Sequence, residues 1–218
     1  PKAQQEYVKM LQSTLKPVVL VLVENRPRIV RDIVDGCSAV VMAYQPGDFG
    51  GDALANILYG DVNPSGKLPF TYPKYQVGTS TYDHKYTETF DKNFGNNAFQ
   101  PQWEFGHGMS YSTIEYSNLS VSCEDEITVK VNVQNKSERA AKESVLLFVT
   151  DEVASITPAV RKLKAFQKIE LATNEMKEVV FVLNKKDFEF IGAEAEPIFE
   201  AGFFQITIDQ HTQRIELK

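Results

Sequence analysis

The hydrophobic period of this 218-residue chain changes part-way along, and that change limits its possible folds more than any other feature. In the first half the apolar residues come in unbroken, strand-length runs. Val18-Val19-Leu20-Val21-Leu22-Val23 follows Pro17. Ala39-Val40-Val41-Met42-Ala43-Tyr44 follows a short amphipathic stretch, residues 29–35, with Gly36 placed to end a helix. Such runs read as strands buried on both faces, and a strand, helix, strand succession requires parallel pairing. Tyr7, Val8, Leu11 and Leu15 predict a helix over residues 2–15, and residues 52–59 predict another, ended by Gly60. Residues 67–72 read as extended, held so by prolines on both sides. From about Tyr116 the period becomes two. Residues 127–133, 145–149, 164–171, 178–183, 203–208 and 214–217 are six candidate strands separated by polar turns, with no long helix among them.

The expected fold is therefore α/β followed by all-β. Residues 1–114 form a partial α/β sandwich of parallel βαβ units, and residues 115–218 form an antiparallel β-sandwich of immunoglobulin or fibronectin-III-like type. Two or three parallel strands with short helices cannot cover both faces of a doubly wound sheet, so the first half is expected to be incomplete by itself, with further strands lying upstream of Pro1. Residues 74–102, rich in Tyr, Thr, Asp, Lys and Asn, read as a long irregular excursion, a kind of segment that is usually functional or an interface.

Composition excludes several classes of function. With 43% apolar and 24% charged residues the chain is of globular type, and its net charge of −6 without a basic patch opposes nucleic-acid binding. No apolar run reaches the roughly 20 residues of a membrane-spanning helix, so no membrane insertion is expected. Cys37 and Cys123 have neither CxxC spacing nor companion histidines, so they are expected to be idle thiols, and neither a metal nor a cofactor is expected. The glycines at 47, 50 and 51 precede Asp52 rather than the Lys-Ser/Thr of a phosphate loop, and no G-x-S-x-G elbow serves His84, His107 or His211.

Several segments go beyond what composition explains. Val21-Leu22-Val23-Glu24-Asn25-Arg26-Pro27 resembles the V-L-x-x-G-R-P strand end of glycoside hydrolase family 3. Pro46-Gly47-x-x-Gly50-Gly51-x-Ala53, followed by Gly60-Asp61-Val62-Asn63-Pro64-Ser65-Gly66-Lys67-Leu68-Pro69, resembles that family's most recognisable signature. Phe105-Gly106-His107-Gly108-Met109-Ser110-Tyr111-Ser112 is similar to its F-G-x-G-L-S-Y-T, and Lys162-Leu163-Lys164-Ala165-Phe166 to the L-K-G-F of its appended fibronectin-III-like domain. Asn25 and Ala165 stand where glycine is usual, and His107 where tyrosine or phenylalanine is common.

The resemblance implies the C-terminal portion of a β-glucosidase-like enzyme that hydrolyses terminal β-O-glycosidic bonds with retention, using two carboxyl groups about 5–5.5 Å apart. It also implies that the nucleophile belongs to an N-terminal barrel domain and that the acid/base glutamate precedes the strand at residues 18–23. No catalytic residue is therefore expected here, and the chain alone is expected to be inactive and structural. Its partners would be the missing barrel domain and the glycoside or oligosaccharide substrate of the parent. A periplasmic or secreted location follows from the family alone. Asp48, Asp52, Asp83, Glu88 and Glu104 read as solvated or capping carboxylates. Tyr82, Asp83 and His84 are the candidate substrate contacts, since tyrosine stacks on a pyranose face while aspartate and histidine bond hydroxyls. The alternative is a carbohydrate-binding or adhesion module in which the β-sandwich and the aromatic residues of 72–105 hold glycans.

Overall fold

A computed structural model describes residues 1–76, 82–86, 100–124 and 126–218. The chain forms two compact units. The first comprises residues 1–62, 68–76 and 100–105; the second comprises residues 63–67, 82–86 and 106–218, the described part of each. Most of the irregular excursion, including Gly78-Thr79-Ser80 and Phe94-Gly95-Asn96-Asn97, lies outside the described residues.

In the first unit, helix α1 (Lys2–Gln12) leads into strand β1 (Val19–Val23), which pairs in parallel with β2 (Ala39–Tyr44) across the short helix α2 (Arg31–Val34). Helix α3 (Gly50–Leu58) follows, and Gly60 adopts φ +84° just beyond it, a left-handed stop that side chains with a Cβ disfavour. Strands β3 (Tyr72–Pro73) and β4 (Pro101–Trp103) pair antiparallel. The core is small: Leu22, Val30, Ile33, Val34 and Tyr72 are buried, with Val8, Met42, Phe70 and Trp103 packed against them. The Tyr72 hydroxyl is its polar anchor. It lies 2.7 Å from Glu24 Oε1 and 2.8 Å from the Arg28 carbonyl, and accepts from the Arg28 amide at 3.2 Å. Burial, with the Glu24 carboxylate adding to it, drives the phenol well above its ordinary range, so it stays a donor at any physiological pH.

The parallel pairing matches the sequence reading, but the expected burial of both strand faces does not hold. Of β1 only Leu22 is buried, while Val19 is 44% and Val23 66% exposed. The reason is that two strands alone leave both sheet edges open, and a parallel sheet buries its strands only between neighbours.

The second unit packs the sheet β13-β12-β7-β8 against the sheet β5-β6-β9, every pairing antiparallel. The strands are β5 (Ile114–Cys123), β6 (Ile127–Asn135), β7 (Ala141–Asp151), β8 (Lys162–Leu171), β9 (Met176–Leu183), β12 (Gly202–Ile208) and β13 (His211–Leu217). A small antiparallel pair, β10 (Phe190–Ile191) and β11 (Pro197–Ile198), sits between β9 and β12. Alternation makes the core: Val129, Val131 and Val133 of β6 meet Val145 and Leu147 of β7, Phe181 of β9, and Phe204 and Ile206 of β12.

Six of these seven strands are legible in the sequence, and β5 is the one that is not. Its apolar residues Ile114 and Tyr116 are followed at a spacing of three by Leu119, then Val121. Asn118 at φ +54° and a register shift between Ser117 and Ser120 absorb the extra residue. The bulge hides a strand of period two.

Strand β7 explains another irregularity, its unbroken run Val145-Leu146-Leu147-Phe148-Val149. Its inner residues face the core, yet Phe148 and Thr150 on the opposite face are also buried. Residues 159–161 cover them: the Thr150 hydroxyl donates to the Val160 carbonyl at 2.7 Å, and the Arg161 guanidinium lies 4.6 Å from the Phe148 ring centre. Because Leu147 is fully buried at the centre of β7, Leu147→Ala is expected to cost about 2–5 kcal/mol of unfolding free energy. Denaturant unfolding of the sandwich checks it, and the exposed Phe166→Ala should change the midpoint far less.

Candidate functional site

Two of the distinctive sequence segments, residues 63–67 and 106–112, lie in the second unit as connectors of the sandwich. Asn63 uses its whole amide. Its Nδ2 donates to Ser112 Oγ at 2.9 Å and to the Ala140 carbonyl at 3.1 Å, and its Oδ1 accepts from Ser110 Oγ and from the Tyr111 amide, both at 2.9 Å. Lys67 donates to the Gly108 carbonyl at 3.1 Å and lies 3.1 Å from Glu143 Oε1. That carboxylate stands on the inner face of β7 and is only 7% exposed. Tyr116 of β5 donates its hydroxyl to the same oxygen at 3.1 Å. Burial first, and the neighbouring carboxylate second, raise the Tyr116 phenol far above its ordinary range. His107, beside Lys67, is pushed below the usual histidine value by burial and then by the lysine charge, so it is neutral at pH 7. Gly108 admits no side chain: an added Cβ would fall 2.1 Å from the Gly66 carbonyl oxygen. These residues build scaffold, with Asn63 and Lys67 serving as bolts between loop and sheet.

A cleft is present at the other end of β7, where β8 carries a bulge. The register shifts between Leu147 and Phe148, leaving Lys164 as the extra residue and setting Lys162 opposite Val149, whose side chain faces inward. A bulge re-aims side chains, and here it turns two lysines of the L-K-G-F-like segment toward one hollow. The hollow has a volume of about 250 Å³. Its rim carries Asp83, Asp151 and Glu189 as well as Lys85, Lys162 and Lys164, over a floor that includes Val149, Phe188 and Phe204. Burial pushes the Asp151 carboxyl up, and Glu200 and Glu152 add to the rise. Burial pushes the Lys164 ammonium down, with Lys162 adding. Burial thus acts in opposite senses on a carboxyl and an ammonium that line the same hollow.

Of the three residues singled out as sugar contacts, Asp83 lines this cleft and Tyr82 and His84 do not. The Leu163 amide, within the bulge, donates to the Tyr82 hydroxyl at 2.5 Å, and the Val160 amide donates to the His84 carbonyl at 2.9 Å. His84 is buried, Tyr82 is part of the anchoring, and Asp83 between them lines the hollow. Lys85, Asp151, Lys162, Lys164 and Glu189 are the members that sequence reading did not single out. The signal that was present for two of them is the L-K-G-F-like segment itself. Among the described residues no group of three or more His, Cys, Asp or Glu side chains is arranged to hold a metal ion. Both cysteines are free, Cys37 half-buried against the Ile33 carbonyl and Cys123 exposed.

A parallel α/β unit followed along the chain by a fibronectin-III-like sandwich defines the domain order. Residues 1–111 match the glycosyl hydrolase family 3 C-terminal domain, and residues 143–212 match the fibronectin type III-like domain. The chain belongs to glycoside hydrolase family 3. It is 41% identical to a lysosomal β-glucosidase of Dictyostelium discoideum over 92% of its length, which is 26% of that relative. It is 29% identical to a periplasmic β-glucosidase of Salmonella typhimurium over 99% of its length and 30% of that relative. In three dimensions it superposes on a β-glucosidase of Listeria innocua, solved in complex with isofagomine, with a TM-score of 0.91 at 30% identity. That superposition covers 99% of this chain and 33% of the other. The chain thus spans about a quarter to a third of the length of these relatives.

Two substitutions test the connector chemistry. Lys67→Met strips the Glu143 carboxylate of its cation inside the sandwich and is expected to cost about 3–5 kcal/mol, and Glu143→Gln in the same chain should return part of the loss. Gly108→Ala forces a methyl into the Gly66 carbonyl and is expected to lower the thermal midpoint, whereas Gly51→Ala, with open space around it, should not.

Proposed function

We propose that the whole protein is a β-glucosidase-like glycoside hydrolase that cleaves terminal β-O-glycosidic bonds with retention of configuration, and that this chain is its structural C-terminal portion. One observation carries the reading: both family domains occur in order, and the fold of nearly the entire chain superposes on a β-glucosidase at a TM-score of 0.91.

Retention needs one carboxylate to attack the anomeric carbon and a second carboxyl, about 5–5.5 Å away, to protonate the leaving oxygen and then activate water. Both groups are assigned to the remainder of the protein, a barrel domain and the earlier part of the α/β domain. What this chain supplies is surface and support. Residues 1–114 complete the α/β domain, and residues 115–218 form a fibronectin-III-like sandwich. The first unit exposes Val19, Val23, Phe49, Leu58 and Tyr59, an apolar set of the kind that marks a surface covered in the assembled protein. Further strands on the open edges of β1 and β2 would cover part of it. A periplasmic or secreted location is inferred, supported by a relative whose name places it in the periplasm.

The purified chain is expected to release no aglycone from an aryl β-glucoside above a buffer control, while a longer protein carrying the barrel and this chain hydrolyses it. Turnover by the chain alone would place the catalytic carboxyls within these 218 residues and overturn the assignment.

A further inference from the structure

We propose that the cleft at the β8 bulge binds a single neutral sugar residue, held by Asp83, Asp151, Lys162 and Lys164 of its lining. The rim carries three carboxylates, Asp83, Asp151 and Glu189, and three ammonium groups, Lys85, Lys162 and Lys164. No net charge is left to select an anion or a cation. A hydroxyl, by contrast, donates one hydrogen bond and accepts two, so a ring of hydroxyls can answer carboxylates and ammonium groups at once.

Burial makes that answer worth having. Asp151 and Lys164 are each shifted toward their neutral forms by desolvation. The Asp151 carboxylate accepts from the Val153 amide at 3.2 Å, and no ion pair joins Asp151 to either Lys162 or Lys164 among the described residues. Hydrogen bonds to charged groups contribute about 1.5–3 kcal/mol each, more than those between neutral partners.

Size and backbone point the same way. Sites for drug-sized ligands run to about 300–1,000 Å³, and a hollow of about 250 Å³ suits one ring rather than an oligosaccharide. Ile156, Pro158 and Phe190 offer the apolar contacts that the C–H face of a pyranose needs. The bulge that turns Lys162 and Lys164 into the hollow also receives the Tyr82 hydroxyl on its Leu163 amide, and so sets Asp83 at the rim. A strand irregularity and a pinned loop thus serve one location.

The choice of a sugar over other polyhydroxylated molecules rests on the glycosidase reading; the cleft does not. Calorimetry of the full 218-residue chain with methyl β-glucoside and with cellobiose measures binding without hydrolysis. Saturable binding is expected, weakened at least about tenfold by Lys162→Met and by Asp83→Asn, each with unchanged circular dichroism and thermal midpoint. Asp83→Asn lies on an exposed turn and keeps the test available if Lys162→Met fails to fold. Absence of saturable binding to either sugar up to about 100 mM, binding unaltered by both variants, or stronger competition by inorganic phosphate than by glucose would each overturn the proposal. A chain that binds sugar within a longer protein that hydrolyses no β-glucoside would sink the glycosidase reading and leave this one standing.

Discussion

Strand β7 is covered on both faces, and that double burial is the constraint on which the second unit depends. Its inner face sends Val145, Leu147 and Val149 into the core between the sheets. The same face carries Glu143 near its start, a carboxylate that the sandwich tolerates only because Lys67 and Tyr116 reach it. Its outer face buries Phe148 and Thr150, which obliges residues 159–161 to fold back over the sheet. A strand buried on its inner face alone would still need Lys67 and would not need residues 159–161.

Three separate stretches are therefore tied to β7 and to the residues beside it by different chemistry. Residues 63–67 and 106–112 are joined through the amide of Asn63 and the ammonium of Lys67, and residues 82–86 are held by backbone amides of Val160 and Leu163. The conspicuous sequence motifs of the second unit thus encode attachment. The first unit behaves differently. Its small core is closed around Tyr72, packed edge-on against Trp103 at 5.1 Å, while the outer strand positions of β1 stay open.

Much of this was legible in the residues. The parallel pairing of β1 with β2 followed from two unbroken apolar runs separated by a short helix, and most of the sandwich followed from alternation. Two things were not legible, each for a physical reason. Strand β5 was hidden because a bulge at Asn118 breaks its period, and a one-residue insertion moves later side chains to the other face. The cleft was hidden because Asp83, Asp151, Lys162 and Glu189 are far apart in sequence and become neighbours only where strand ends and loops meet.

The amino-acid sequence by itself determined the two fold classes, their order and the family, because hydrophobic period and glycine-proline motifs are local properties that survive being read along a line. The tertiary structure alone decided where the buried charges go. Whether Glu143 is a surface carboxylate or an interior one, and whether Lys162 points to solvent or into a hollow, depends on which other strand lies alongside and in what register. Desolvation and pairing are set by neighbours in space, and no spacing along the chain records them.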